Sequence, residues 1–367
     1  MSEYLNKLMY LKYKNESLRD RLVKFIISHS SIEYLNTSFL KAKLITEHPD
    51  FRDCFQNLKE FETSDDYSPN FFIALSKICD NIQTFRIHFN SVNKDISGIA
   101  HLIKSQKQVK KVHFYLSRSN VFWKLGHLKN AILSHSDSIV EYHSTGFSHV
   151  DLAILEFKNL KTLHLENSKV DEIDVPEEIK SASFPNIREV TVKNFDGELL
   201  NSMTTFIDIN GYGLKSLEIG GAPSDHDDLL LLLSSIGKCC RNLEDLTVFY
   251  ANHLHYYLND IFSNCRRLKK IYLRLIGGIV IFVDDIVTAL IETQPKNLKS
   301  IKFGNNINVT DTALVFLCKK WSGPKPFLLS YSNYKQHSID AVSPIPVLDR
   351  CMIMGFLEYE KGEEGYQ

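Results

Sequence analysis

The chain has 367 residues, 44% hydrophobic and 24% charged, which is enough apolar material for a large core and excludes a disordered chain. Lys and Arg number 43 against 44 Asp and Glu, so no basic excess marks a nucleic-acid or membrane-surface binder. The start, Met1-Ser-Glu-Tyr-Leu, lacks the basic and apolar segments of a signal peptide, and the longest apolar runs, 229–233 and 279–283, fall far short of the ~20 residues that span a bilayer.

One short pattern recurs along the chain: an apolar anchor, a second three residues later, and a third two beyond that. Faint copies at Leu5-Leu8-Tyr10 and Ile32-Leu35-Thr37 come first. Clear ones follow at Leu58-Phe61-Thr63, Ile82-Phe85-Ile87, Val109-Val112-Phe114, Ile139-Tyr142-Ser144 and Leu160-Leu163-Leu165. The series continues with Ile187-Val190-Val192, Leu214-Leu217-Ile219, Leu243-Leu246-Val248, Leu268-Ile271-Leu273 and Leu298-Ile301-Phe303, and a last copy is expected near Leu329-Tyr331. First anchors recur every 21–30 residues, a regularity that marks a repeat architecture.

The second and third anchors are two apart, so they face one side of a short strand. Between triplets the pattern changes to helical spacing, with helices predicted over 71–78, 96–104, 125–133, 227–239, 284–292 and 310–320. A lone strand-plus-helix unit cannot bury its apolar face, but stacked units can. The expected fold is a single α/β solenoid of about twelve repeats over residues 1–335, with a parallel sheet on a concave face and helices on the convex one. After Asn333 the period breaks: residues 336–367 are expected to form a cap, over 347–357, and a frayed tail.

Specific residues then give the pattern a likeness. Leu298-Lys-Ser-Ile301-Lys-Phe303-Gly-Asn-Asn306 runs on into Val309-Thr310-Asp311-Thr312-Ala313-Leu314, with Thr310 placed to cap a helix. Cys79, Cys240 and Cys265 each stand three residues before a first anchor, while Gln106, Ser136, Phe157 and Gly211 fill that place in other repeats. This resembles the cysteine-containing leucine-rich repeat (LRR) of fungal F-box/LRR proteins. The resemblance implies a protein-interaction scaffold, the substrate-recognition part of an SCF (cullin-RING) ubiquitin ligase. In such proteins a helical F-box precedes the repeats and docks on the ligase. Here the first residues already read as a repeat, so no F-box is recognisable in this chain, and the SCF adaptor and cullin are partners only if one lies upstream. The alternative is a stand-alone LRR binding or inhibitor scaffold with no ligase link.

No catalytic or phosphate-cradling motif appears, so no enzyme activity and no cofactor are expected. The seven cysteines, an odd number, suit a reducing compartment, and their scatter does not suit zinc. A soluble monomer of the cytoplasm or nucleus is expected, with a protein partner and with neither nucleic acid nor membrane. The non-anchor strand positions should form the binding face: Arg86, Lys111, His113, Tyr115, His143 and His164 early, then Glu218, Asp245, Phe249, Tyr272 and Arg274. His113, His143 and His164 share one strand position in consecutive repeats and should form a column, read first as exposed polar or partner-contact residues, with a metal site and a pH-sensitive contact surface as the alternatives.

Overall fold

The computed structural model describes residues 31–331 apart from 38–48, 91–93, 117–125, 147–148, 167–176, 194–197, 221–225, 252–253, 276–280, 283, 305–306, 309 and 325–326, together with 21, 24–25, 27–29 and 357–358. The expected repeat at Leu5-Leu8-Tyr10, the bulk of the cap and the charged tail lie outside the described residues. The chain divides into two compact units, Met1–Asp171 and Glu172–Gln367.

In the first unit, strands and helices alternate: β1 (Tyr34–Asn36), α1 (Phe51–Phe55), β2 (Glu60–Ser64), α2 (Pro69–Ser76), β3 (Thr84–Phe89), α3 (Ser97–Lys104), β4 (Lys111–Leu116), α4 (Gly126–Leu133) and β5 (Glu141–Thr145). A 3-10 helix (His149–Glu156) leads into β6 (Thr162–Glu166). Each strand pairs in parallel with the next, in register from β1 to β6. Parallel neighbours need a crossover, and the helices supply it, packing α2 on α3 and α3 on α4. A Cβ at Gly98 in α3 would run into the backbone of Pro69, so glycine there lets α3 approach the start of α2.

The second unit repeats the plan: α5 (Glu177–Lys180), β7 (Glu189–Lys193), α6 (Glu198–Asn210), β8 (Ser216–Ile219), α7 (His226–Cys239), β9 (Asp245–Tyr250), α8 (His255–Asn264) and β10 (Lys270–Leu275). It continues with β11 (Ile281–Phe282), α9 (Asp284–Thr293), β12 (Ser300–Phe303), β13 (Ile307–Asn308), α10 (Asp311–Lys320), β14 (Phe327–Tyr331) and β15 (Leu357–Glu358). The parallel order here is β7-β8-β9-β10-β12-β14-β15, with β11 and β13 forming a separate two-stranded pair. As expected, Thr310 caps α10: its Oγ1 accepts from the Ala313 amide at 3.2 Å and donates to Asp284 Oδ2 at 2.7 Å. No helix among the described residues is long and apolar enough to cross a membrane.

Both units are α/β leucine-rich-repeat solenoids, and the repeat register explains their cores. The second anchors Phe61, Phe85, Val112, Tyr142 and Leu163 are buried in the first unit, as are Val190, Leu217, Leu246, Ile271 and Ile301 in the second. Burying each such side chain contributes about 1.5–3 kcal/mol. Anchors that are not apolar are buried too. Thr37 and Thr63 satisfy each other through a 2.9 Å hydroxyl–hydroxyl bond, which lets two polar residues occupy third-anchor positions.

The turn from helix to strand carries a second device. At the cysteine position, the Cys79 thiol donates to the Phe55 carbonyl of the preceding repeat at 3.0 Å, and Cys265 reaches Ile236 in the same way at 3.8 Å. Burial pushes the Cys79 and Cys265 thiols up to about 12, so they stay protonated. Gln106 takes this role with a side-chain amide. It accepts from the Ile82 amide at 2.8 Å and donates to the Cys79 carbonyl at 3.0 Å.

Where Ser136 and Gly211 fill the cysteine place, the clasp moves one residue earlier. His135 Nε2 donates to the Ile103 carbonyl at 2.9 Å. Asn210 accepts from the Phe184 amide at 2.7 Å and donates to the Ala182 carbonyl at 2.9 Å.

His135 makes the fold pH-sensitive. Burial holds its imidazole below the ordinary value, so the folded chain keeps it neutral where the unfolded chain binds a proton. The stabilisation is full above the unfolded pKa of ~6.5 and is lost as pH falls from there through the lowered folded value. Urea unfolding from about pH 7.5 to about 5.5 should show a steeper loss of stability for the wild type than for His135→Gln. Parallel curves for the two proteins would rule His135 out as the source.

Candidate functional site

The open side of each sheet, opposite the helices, carries the residues singled out by the sequence. In the first unit the register aligns Arg86, His113, His143 and His164 on successive strands. A second row runs Thr84, Lys111, Glu141, Thr162, and a third His88, Tyr115, Thr145, Glu166. The rows arise because each triplet starts its strand at the same point, so equal offsets become lateral neighbours about 4.8 Å apart.

The column of imidazoles exists. The His143 and His164 rings stack at 3.9 Å with 26° between planes, and the His113 ring lies 5.4 Å from His143. Tyr115 stacks on His88 at 4.5 Å and meets His143 edge-on at 5.3 Å. His113 departs from the expectation of an outward, exposed side chain, since only 9% of it is accessible. Its Nε2 lies 2.8 Å from Glu141 Oε1, whose other oxygen takes Lys111 Nζ at 2.7 Å. The His113 bond, followed by that of Lys111, holds the Glu141 carboxyl down to about 2 despite its partial burial.

This face reads as basic in the sequence, but the structure neutralises it. Arg86 Nη1 donates to Glu60 Oε2 at 2.9 Å from the neighbouring strand. Glu62 lies 3.4 Å from His88 and accepts from the Tyr34 hydroxyl at 2.7 Å; the His88 contact leads in holding its carboxyl below the usual range. Glu60 and Glu62 belong to this face and were not singled out from the sequence; Glu166, a face position by its offset, was not among the binding residues chosen. Their signal was their offset, since each is an odd-row neighbour of a strand anchor.

In the second unit the row Thr191, Glu218, Thr247, Tyr272, Lys302 crosses β7 to β12. Asp245 pairs in register with Ser216 and Lys270, and Phe249 with Arg274. Arg274 reaches across β9 to Glu218, donating Nη2 to Oε1 at 2.7 Å, and Lys193 closes on the same oxygen at 3.1 Å. Gly220 leaves the room: a Cβ there would stand 2.6 Å from the Arg274 guanidinium. The Tyr272 ring lies between two cations, Arg274 at 5.5 Å and Lys302 at 5.3 Å from its centroid. The result is a half-buried aromatic fixed within a charge network, a surface chemically suited to desolvation against a partner.

No protein-family model matches the chain, and neither does any curated protein. Among solved structures, it is similar to the complex of Rad7 and Elc1 in yeast, at 11% identity and a TM-score of 0.46, over 82% of this chain and 85% of that one. It is also similar to the leucine-rich-repeat-containing protein LegL7 from Legionella pneumophila, at 12% identity and a TM-score of 0.40, over 86% of this chain and 96% of that one.

Proposed function

We propose that this chain is a non-catalytic scaffold that recognises a protein partner on the open faces of its repeat sheets. The observation that carries this reading is the Tyr272 cluster. Tyrosine and arginine are the residue types that dominate binding hot spots. Here Tyr272 and Arg274 are held in place by Lys302, Glu218 and Lys193, so less side-chain freedom is lost on binding. On the cysteine-containing repeat, the partner is read as a substrate handed to a cullin-type ubiquitin ligase. A stand-alone scaffold with no ligase link is the alternative.

Affinity purification of the chain from cells that express it, followed by mass spectrometry, separates the two. Co-recovery of a cullin and its adaptor supports the ligase role, whereas a saturable partner without them supports the stand-alone scaffold. For the partner recovered, Tyr272→Ala with Arg274→Ala should weaken binding ~10-fold or more at unchanged fold. Unchanged affinity would remove the late strands from the binding face.

A further inference from the structure

We propose that His143, His164 and Glu166 form a divalent transition-metal site, fitted to zinc, that ties β5 to β6 on the open face of the first unit. This goes beyond the sequence, where the aligned histidines read first as a contact surface and Glu166 was not joined to them, and it stands independently of the partner reading.

Three observations carry it. First, one donor atom from each of the three residues lies within 4.8 Å of the other two. Second, His164 Nε2 and Glu166 Oε2 are 3.4 Å apart. Ligand bonds of ~2.0–2.1 Å in a tetrahedron put neighbouring donors about 3.3 Å apart, so this pair already has the required spacing. The third donor, on His143, lies within 4.8 Å of both and joins them by a side-chain rotation that tilts its ring out of the stack with His164. Third, the donor set has the right chemistry. Two imidazoles and a carboxylate are ligands that zinc accepts, and three protein ligands leave a fourth position for water.

The strand geometry makes the site possible. His143 and His164 are register partners on adjacent strands, and Glu166 follows His164 by two, so all three share one face. The imidazole of His143 has the rings of Tyr115 and His113 beside it, at 5.3 and 5.4 Å between centroids. His113 itself is engaged by Glu141 at 2.8 Å and stands outside the donor set. All three donor residues are partly exposed, which gives an ion a route in.

The test uses the full chain, stripped of metal by a chelator and titrated calorimetrically with Zn²⁺, then with Co²⁺ followed by absorbance. One Zn²⁺ per chain is expected, with Co²⁺ visible bands of a nitrogen and oxygen site. His164→Ala should weaken Zn²⁺ binding by more than the ~10–100-fold that losing an outer-shell partner costs. Glu166→Gln, which keeps the side chain's shape, should also weaken it, so the result does not depend on one variant folding. His101→Ala, on the exposed side of α3, should leave binding unchanged. Circular dichroism checks that each variant is folded. Absence of saturable uptake overturns the proposal, as does uptake unaffected by both His164→Ala and Glu166→Gln. A Co²⁺–thiolate charge-transfer band would overturn it too, because it would move the site to cysteines.

Discussion

Replacing Phe85 by Ala is expected to destabilise the chain by about 3–5 kcal/mol, among the largest effects of any single change in the first unit. Phe85 is the second anchor of β3 and is fully buried, at 0% accessibility. Its ring meets Phe61 of β2 edge-to-face at 6.2 Å and 85°, and Phe61 in turn meets Phe72 of α2 at 6.4 Å and 80°. Such edge-to-face pairs add ~0.5–1.5 kcal/mol beyond burial alone. The truncation therefore leaves a cavity at a junction of sheet and helix and removes a link between two repeats. In a solenoid each repeat is held by its neighbours, so the loss is felt at the β2–β3 interface and cannot be spread across the chain. Urea unfolding checks this through the shift in midpoint. A loss below about 1 kcal/mol would mean that the site collapses freely and that the anchors are not the main source of stability.

Gln106→Leu should cost about 2–4 kcal/mol although it replaces a polar side chain by an apolar one of similar size. The Gln106 amide accepts from the Ile82 amide at 2.8 Å and donates to the carbonyls of Cys79 at 3.0 Å and Leu102 at 2.8 Å, as well as to Ser105 Oγ at 3.0 Å. Leucine would leave the buried Ile82 N–H and the Cys79 carbonyl without this partner, and each lost buried partner costs about 1–3 kcal/mol. Greater burial of apolar surface offsets only part of that. Amide exchange at Ile82 gives a local reading: it should speed up in the variant well before global unfolding. Protection of Ile82 equal to that of the wild type would show that the clasp contributes nothing.

Much of the repeat plan was legible in the sequence. Strand anchors obey a period of two, so Phe61, Phe85 and Val112 announce both their strands and their buried side. Strongly periodic helices such as α7 and α9 were placed within a residue or two of their observed bounds. Helices α6 and α8 were not singled out, because Asn, Ser, Thr and Asp dilute their apolar stripe.

The histidine column was legible for the same reason as the strands, since equal offsets in successive repeats become neighbours. The partners of the face were not. Arg274 and Glu218 are 56 residues apart and meet only because β8, β9 and β10 lie side by side in register, with one strand between them. Glu166 shares the face of His164 through its offset of two, but the 3.4 Å approach of their side chains is set by rotamers, which spacing does not encode. Nor did the cysteine pattern show that a polar clasp can slide one residue upstream, to His135 or Asn210, and still bind the preceding repeat.

On the proposed function, the open sheet face, and not the helical side, recognises the partner. The helical side of the second unit has its own exposed hydrophobic residues, Leu231 on α7 and Tyr256 on α8. The decisive measurement is quantitative partner recovery by three versions of the full chain: wild type, Tyr272→Ala with Arg274→Ala, and Leu231→Ala with Tyr256→Ala. Recovery should fall ~10-fold or more for the face variant and stay at the wild-type level for the helix variant. Loss of the partner in the helix variant, with the face variant unaffected, would contradict the account and move recognition to the other side of the repeats.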